Sequence, residues 1–112
     1  MLALPGNARL FLCRTPMNMR KSFEGLSATV EQLFPGELLS GALFIFLNKN
    51  KDHLKVLFWD QDGFVVYFKR LEKGTFLWEW GSSAILDRRA FFMLLEGITP
   101  KRLQPRFSLQ KQ

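Results

Sequence analysis

The sequence has little of the side-chain chemistry on which catalysis and metal binding depend. Its 112 residues include one cysteine, one histidine, one tyrosine and ten acidic residues. A lone Cys13 excludes an internal disulfide and a zinc site built from several thiolates. The single imidazole, His53, lies in a polar loop, which leaves no Ser-His-Asp set, and isolated glycines form no phosphate-binding loop. The residues therefore predict no enzyme, no cofactor and no metal site.

Long hydrophobic runs are also missing. No stretch approaches the roughly 20 apolar residues that a membrane span requires. Pro5 and Gly6 interrupt the N-terminal apolar segment, whereas a signal peptide keeps that segment continuous. We therefore expect a soluble cytoplasmic protein that has no membrane partner.

The chain does have enough apolar material for one core. Apolar residues make up 47% of it, including twelve phenylalanines, and the formal net charge is +6. This length and composition predict a single domain over residues 1–112, with a loose C-terminal tail at 99–112 that carries two prolines and little pattern. The sequence does not indicate an oligomeric state.

The hydrophobic spacing predicts an α+β fold. Four runs rich in Phe, Val, Ile and Trp, joined by short polar connections, predict a four-stranded antiparallel meander at 42–48, 54–60, 64–71 and 75–80. A short N-terminal strand is expected at 8–13. Helices are expected at 17–36, capped by Asn18 or Ser22, and at 87–97, capped by Asp87. Both faces of the central strands are apolar. Two helices can cover one face of a four-stranded sheet, and the other face needs the N-terminal strand, the tail or a partner.

Asp60 and Asp62, followed by Gly63, have two interpretations. Paired carboxylates occur in metal-dependent nucleic-acid enzymes, but such sites need further carboxylates from other elements, and the spacing does not fit an EF-hand loop. Asp and Gly are also what a tight strand connection favours. We predict a hairpin tip.

Charge in the predicted meander is unevenly placed, because alternate turns lie at the same end of the sheet. The turns after the first and third strands are rich in lysine, and we call the end that they share the basic end. Acidic residues gather at the opposite end: Glu37, Asp60, Asp62 and Glu79. Arg20 and Lys21 open the first helix, where cations oppose the helix dipole. The candidate contacts for phosphate or an acidic protein surface are Arg20, Lys21, Lys49, Lys51, Lys55, Lys69, Arg70 and Lys73. Lysine-rich turns that only keep the protein soluble are the alternative.

Aromatic residues on the strands form the second candidate surface. Trp59, Tyr67, Trp78 and Trp80 are placed to contact a protein partner or to stack on nucleobases. Aromatic stripes at strand spacing are more often core or protein interface, so a protein interface is the preferred interpretation.

Three segments carry a resemblance to a known family. They are NMRKSFEGLSATV, GALFIFLNKNKDHLKVLFWDQDGFVVYFKRLEKGTFLW and LLEGI, in that order and spacing. The chain resembles, from about Arg9 to Ile98, the small accessory protein of the IS sixty-six type of bacterial insertion sequence, often labelled TnpB or Orf2-like. Family members usually have aspartate where this chain has Asn18, so a contact that needs a negative charge there would be lost.

The resemblance implies a role in DNA transposition beside a larger transposase that carries the catalytic carboxylates. The expected function is that of a non-catalytic accessory protein of a bacterial mobile element, which binds the transposase, element DNA or both. A small metal-dependent nucleic-acid enzyme that uses Asp60 and Asp62 is the alternative function.

Overall fold

Seven secondary-structure elements make up the described part of the chain. The structure is a computed structural model that describes residues 8–77 and 85–96. The elements are β1 (Leu10–Leu12), α1 (Phe23–Leu33), β2 (Leu43–Leu47), β3 (His53–Trp59), β4 (Phe64–Arg70), β5 (Ile85–Leu86) and α2 (Arg88–Glu96).

The strands form one mostly antiparallel sheet in the order β4-β3-β2-β1-β5. β2, β3 and β4 are joined as a meander, with Ile45 paired to Val56 and Val56 to Tyr67. β1 runs parallel to β2, and α1 connects the two. β5 pairs antiparallel with β1 at the far edge. The expected α+β class, the N-terminal strand and three strands of the meander are confirmed.

The predicted fourth meander strand differs from the structure. Residues 75–77 belong to no strand, and residues 78–80 lie outside the described ranges. After β4 the N–H of Phe76 donates to the carbonyl oxygen of Lys51 at 2.6 Å, and its ring is fully buried beside Phe91 and Leu94 of α2. The burial of this large apolar ring beneath α2 favours a path toward the core after β4.

The helices cover opposite faces of the sheet. Leu26 and Val30 of α1 pack with Phe44 and Phe46 of β2. The alternate β2 residues, Leu43, Ile45 and Leu47, pack with Phe91, Leu94 and Leu95 of α2. Because successive strand residues point to opposite faces, the apolar runs are explained by two helix-covered faces. The expectation that the second face needs the N-terminal strand, the tail or a partner was wrong, because α2 covers it.

The helix boundaries lie close to their sequence signals, except for the start of α1. The Asp87 carboxylate accepts the N–H of Ala90 at 2.7 Å, which confirms it as the cap of α2. α1 starts later than predicted, at Phe23, because Asn18 closes a separate turn by accepting the N–H of Arg20 at 2.8 Å. The Ser22 hydroxyl bonds to Glu24 and caps no backbone group. α1 stops before Pro35, and Gly36 takes a left-handed φ of 81°.

Candidate nucleic-acid interface

The connection between β3 and β4 is a tight hairpin, as predicted. The N–H of Asp60 donates to the carbonyl oxygen of Gly63 at 2.8 Å, directly after the Trp59–Phe64 strand pair. The left-handed residue of this turn is Gln61, with φ of 62°, and not the glycine. Within residues 8–77 and 85–96, no group of three His, Cys, Asp or Glu side chains is arranged to hold a metal ion. Asp60 and Asp62 are exposed at the hairpin tip.

Three loops meet at the basic end. The loop after β4 contacts the β2–β3 turn, since the N–H of Leu71 donates to Asp52 O at 2.8 Å. The loop after β1 reaches the same end, because the N–H of Met17 donates to Leu47 O at 2.8 Å, at the end of β2. The basic end therefore consists of loops 14–22, 48–52 and 71–76. It also contains Arg14, which sequence reasoning missed although it directly follows the predicted strand 8–13.

Some of the predicted contact residues have ammonium or guanidinium groups bonded within the molecule. Lys55 Nζ donates to the carbonyl oxygens of Met19 at 2.8 Å and Lys21 at 3.2 Å, and so holds the segment before α1 against β3. Lys69 Nζ donates to Leu95 O at 2.9 Å, in the last turn of α2, where a cation is favoured by the helix dipole. Arg70 pairs with Glu72 at 3.0 Å.

Four other predicted contact residues present their cations outward. Arg20, Lys21, Lys49 and Lys73 are exposed, and their side chains make no hydrogen bond or ion pair to any residue in the described part of the chain. Lys51 occupies the β2–β3 turn with a left-handed φ of 60°, and its carbonyl oxygen is the acceptor for Phe76. The contact role of the whole predicted set stays a prediction.

The acidic side chains at the basic end are engaged by neutral or local partners. The Asp52 carboxylate accepts from the Asn48 amide at 2.6 Å and contacts His53 Nδ1 at 2.7 Å. The Asn48 bond, and then His53, lower the pKa of Asp52 below its usual range. The pKa of Glu24 is lowered by its backbone N–H and by the Ser22 hydroxyl. Both carboxylates therefore stay ionised at neutral pH, but neither pairs with the outward-facing cations.

The segregation of charge is less complete than the sequence predicted. β5 returns the chain to the opposite end of the sheet, where Arg88 and Arg89 begin α2. Arg9 also lies at that end and pairs with Glu37. Cations therefore occur at both ends: Arg88 and Arg89 follow β5, and Arg9 precedes β1. Glu79, expected among the acids, lies outside the described residues.

The predicted aromatic surface is described for two of its four residues. Trp59 is half-buried and contacts Phe64 edge-on, with ring centroids 5.0 Å apart. Tyr67 is half-buried against the apolar residues that pack beneath α2. The two face opposite sides of the sheet. Tyr67 pairs with Val56, three residues before Trp59, and residues an odd number of positions apart on a strand point to opposite faces. Trp78 and Trp80 lie outside the described residues, and the interface role of all four stays a prediction.

Comparison with known proteins identifies the family. The protein-family model described as "IS66 Orf2 like protein" matches residues 8–105, most of the chain. The chain belongs to the IS66 Orf2-like family. It is 31% identical over 97 residues to the uncharacterized protein y4hO of Sinorhizobium fredii, covering 84% of each chain. It is also 30% identical over 69 residues to the uncharacterized protein y4jC of the same organism, covering 62% of this chain and 59% of the relative. No solved structure matches the chain significantly.

Membership in the IS66 Orf2-like family makes this a protein associated with transposition of a bacterial insertion sequence, as the sequence resemblance indicated. Neither described helix has the length and hydrophobicity to cross a membrane. The cytoplasmic location stays a prediction.

Proposed function

We propose that this IS66 Orf2-like protein is a non-catalytic accessory of transposition that binds DNA phosphates through its basic end, beside a separate transposase. The observation that supports it most directly is that the cations and the carboxylates at that end differ in whether they have bonding partners within the molecule. Arg20, Lys21, Lys49 and Lys73 have no side-chain partner among the described residues, whereas Asp52 and Glu24 are each held by local hydrogen bonds. Exposed cations without internal partners are available to phosphate.

The internal bonds of Lys55 and Lys69 support the proposal in another way. Lys55 bonds loop 14–22, which carries Arg20 and Lys21, to β3, and Lys69 bonds the end of α2 to β4. Cations on anchored loops lose less conformational freedom on binding than cations on mobile ones. The proposal gives no catalytic role to Asp60 and Asp62, because they lie on the hairpin tip, at the end of β3 and β4 opposite the basic end.

Phosphate contact predicts a specific salt dependence. Neutralising four phosphates on duplex DNA gives a slope of log K against log salt of roughly −3 to −4. Affinity should therefore fall on the order of 100-fold between about 50 mM and about 200 mM salt. Contacts of this kind read the backbone, so an unrelated duplex of equal length should bind with similar affinity.

Fluorescence anisotropy with labelled duplexes from the element terminus and from unrelated sequence tests this. Lys49→Gln should reduce the salt slope by about 1. Arg89→Gln is the matched control: it removes one exposed positive charge from the opposite end of the sheet and should leave the slope unchanged. An equal effect of the two variants would show attraction by net charge alone and would reject the basic end as a site.

Two other outcomes separate the competing functions. Capture of the neighbouring transposase that tolerates salt and is lost on Trp59→Ala, with no DNA binding, would indicate a protein adaptor in place of the proposed function. Metal-dependent cleavage of DNA that Asp60→Asn abolishes would indicate the enzyme alternative.

A further inference from the structure

The outer side of β4 is an exposed sheet edge in the described part of the chain. β4 forms one end of the strand order, and its seven residues pair with β3 in a continuous register from His53–Arg70 to Trp59–Phe64. No bulge interrupts the pairing, and the strand contains no proline. Such an edge presents a row of backbone donors and acceptors that can pair with another strand.

The side chains along β4 do not protect this edge. Natural edges are usually guarded by charged residues, especially lysine, that obstruct pairing. Here Phe68 is 51% exposed and Val65 is also exposed. Lys69 is turned toward its own molecule, with Nζ bonded to Leu95 O at 2.9 Å. The middle of the edge is therefore apolar and unguarded.

The two ends of β4 carry opposite charge. The hairpin tip before the strand has two exposed aspartates, Asp60 and Asp62. The strand finishes at Arg70, which pairs with Glu72 at 3.0 Å, and Lys73 follows in the loop, so that two cations and one carboxylate leave this end positive. Seven residues of extended chain separate these ends by roughly 23 Å.

We propose that a second copy of this chain pairs with the outer edge of β4 in an antiparallel, two-fold arrangement. The five-stranded sheets would then join into one continuous sheet. A two-fold axis makes both halves of the contact identical, so the hairpin tip of each copy lies beside Arg70 and Lys73 of the other. A parallel pairing would instead place like charges together, which is unfavourable.

Antiparallel pairing also suits the apolar residues of the strand. With the two-fold axis perpendicular to the sheet near Tyr67, each β4 residue stands opposite a β4 residue of the other copy that points to the same face. Val66 of each copy then faces Phe68 of the other, and the exposed surface of Phe68 is covered. This proposal does not depend on DNA binding: of the four cations proposed to contact phosphate, only Lys73 lies in this contact, and Arg20, Lys21 and Lys49 lie outside it.

Sedimentation velocity on the full chain, over a series of protein concentrations at low salt, tests the proposal. A dimer should form in the wild type and weaken as salt rises. Asp60→Lys/Asp62→Lys and Arg70→Glu/Lys73→Glu should each weaken self-association by more than about tenfold, because attraction becomes repulsion at two contacts. Ile85→Lys is the control: Ile85 is 67% exposed on the opposite edge strand, and its change should leave the dimer intact.

Mixing the two charge variants gives the sharpest result. In the mixed pair each hairpin tip again faces the opposite charge, so a heterodimer should form although neither variant pairs with itself. A monomeric wild type at all concentrations, a mixture that does not associate, or dimers unaffected by either variant would overturn the proposal.

Hydrogen exchange on the wild-type chain answers the same question if a variant fails to fold. Amides of residues 64–70 should gain protection as protein concentration rises, while those of α1 at 23–33 should not. Equal protection of both segments at all concentrations would count against pairing at β4.

Discussion

Lys55 provides a test of whether a lysine predicted to contact a partner instead holds the fold together. Its ammonium group donates to Met19 O at 2.8 Å and Lys21 O at 3.2 Å, and it lies 5.5 Å from the ring centroid of Phe68. Lys55→Met keeps the aliphatic stem on the strand and removes the donors. The perturbation therefore removes the bonds between β3 and the segment before α1, together with the contact between the ammonium group and the Phe68 ring.

The expected loss follows from these contacts. Hydrogen bonds with a charged partner contribute about 1.5–3 kcal/mol, but the side chain is half-buried and the second bond is long. We expect Lys55→Met to lower the free energy of unfolding by about 2 kcal/mol, which corresponds to a fall in Tm of about 8 °C or more. Lys49→Met removes an exposed lysine of the β2–β3 turn and should change Tm by no more than about 2 °C.

Urea denaturation followed by tryptophan fluorescence measures the stability, and anisotropy with duplex DNA gives the salt slope. Lys55→Met should be less stable than wild type with an unchanged slope, whereas Lys49→Met should show the reverse. Unaltered stability in Lys55→Met, together with a slope reduced by about 1, would mean that Lys55 contacts phosphate and would refute the structural assignment.

Two further changes test the fold around the basic end. Phe76→Ala should lower the free energy of unfolding by about 3–5 kcal/mol, because the ring is fully buried beneath α2. Leu77→Ala, at a residue that is 38% exposed, should lower it by less than about 1 kcal/mol. Comparable losses in urea denaturation would instead fit the strand that the sequence predicted at 75–80. Because the pKa of Asp52 is lowered on folding, its ionised form stabilises the protein above the unfolded pKa of about 4, and this contribution is lost as pH falls through the lower folded pKa. Asp52→Asn should therefore lower Tm slightly at neutral pH, by less than about 4 °C since the carboxylate is partly exposed, and the difference should disappear in strong acid; a difference that grows on acidification would contradict this assignment.

The strands and turns of the meander could be predicted because local pattern determines them. Period-two apolar runs separated by short polar connections specify β2, β3 and β4, and Asp60–Gly63 closes a tight turn wherever the hairpin stands. Asp87 and Pro35 act within one helical turn of their own position, so α2 began and α1 ended close to where the sequence placed them. The proximity of the two lysine-rich turns followed from the meander as well.

The path after β4 could not be predicted, because it depends on contacts between distant parts of the chain. The run TFLWEW has the composition of a strand, but Phe76 is drawn into the core by α2 and by the carbonyl group of Lys51. The same crossing places β5 beside β1 and brings Arg88 and Arg89 to the end expected to be acidic. A propensity for extended structure does not specify which sheet edge a segment will join.

The sequence by itself determined the chemical character of this protein: the single cysteine and histidine, the excess of positive charge, the apolar strands and the membership in the IS66 Orf2-like family. Only the tertiary structure decided which cations are used internally. Lys55 and Lys69 resemble Lys49 in sequence, but a strand position brings their ammonium groups within reach of backbone carbonyls from the segment before α1 and from α2. The physical reason is that a lysine's role depends on the acceptors within reach of its side chain, and those acceptors come from residues far away in the chain.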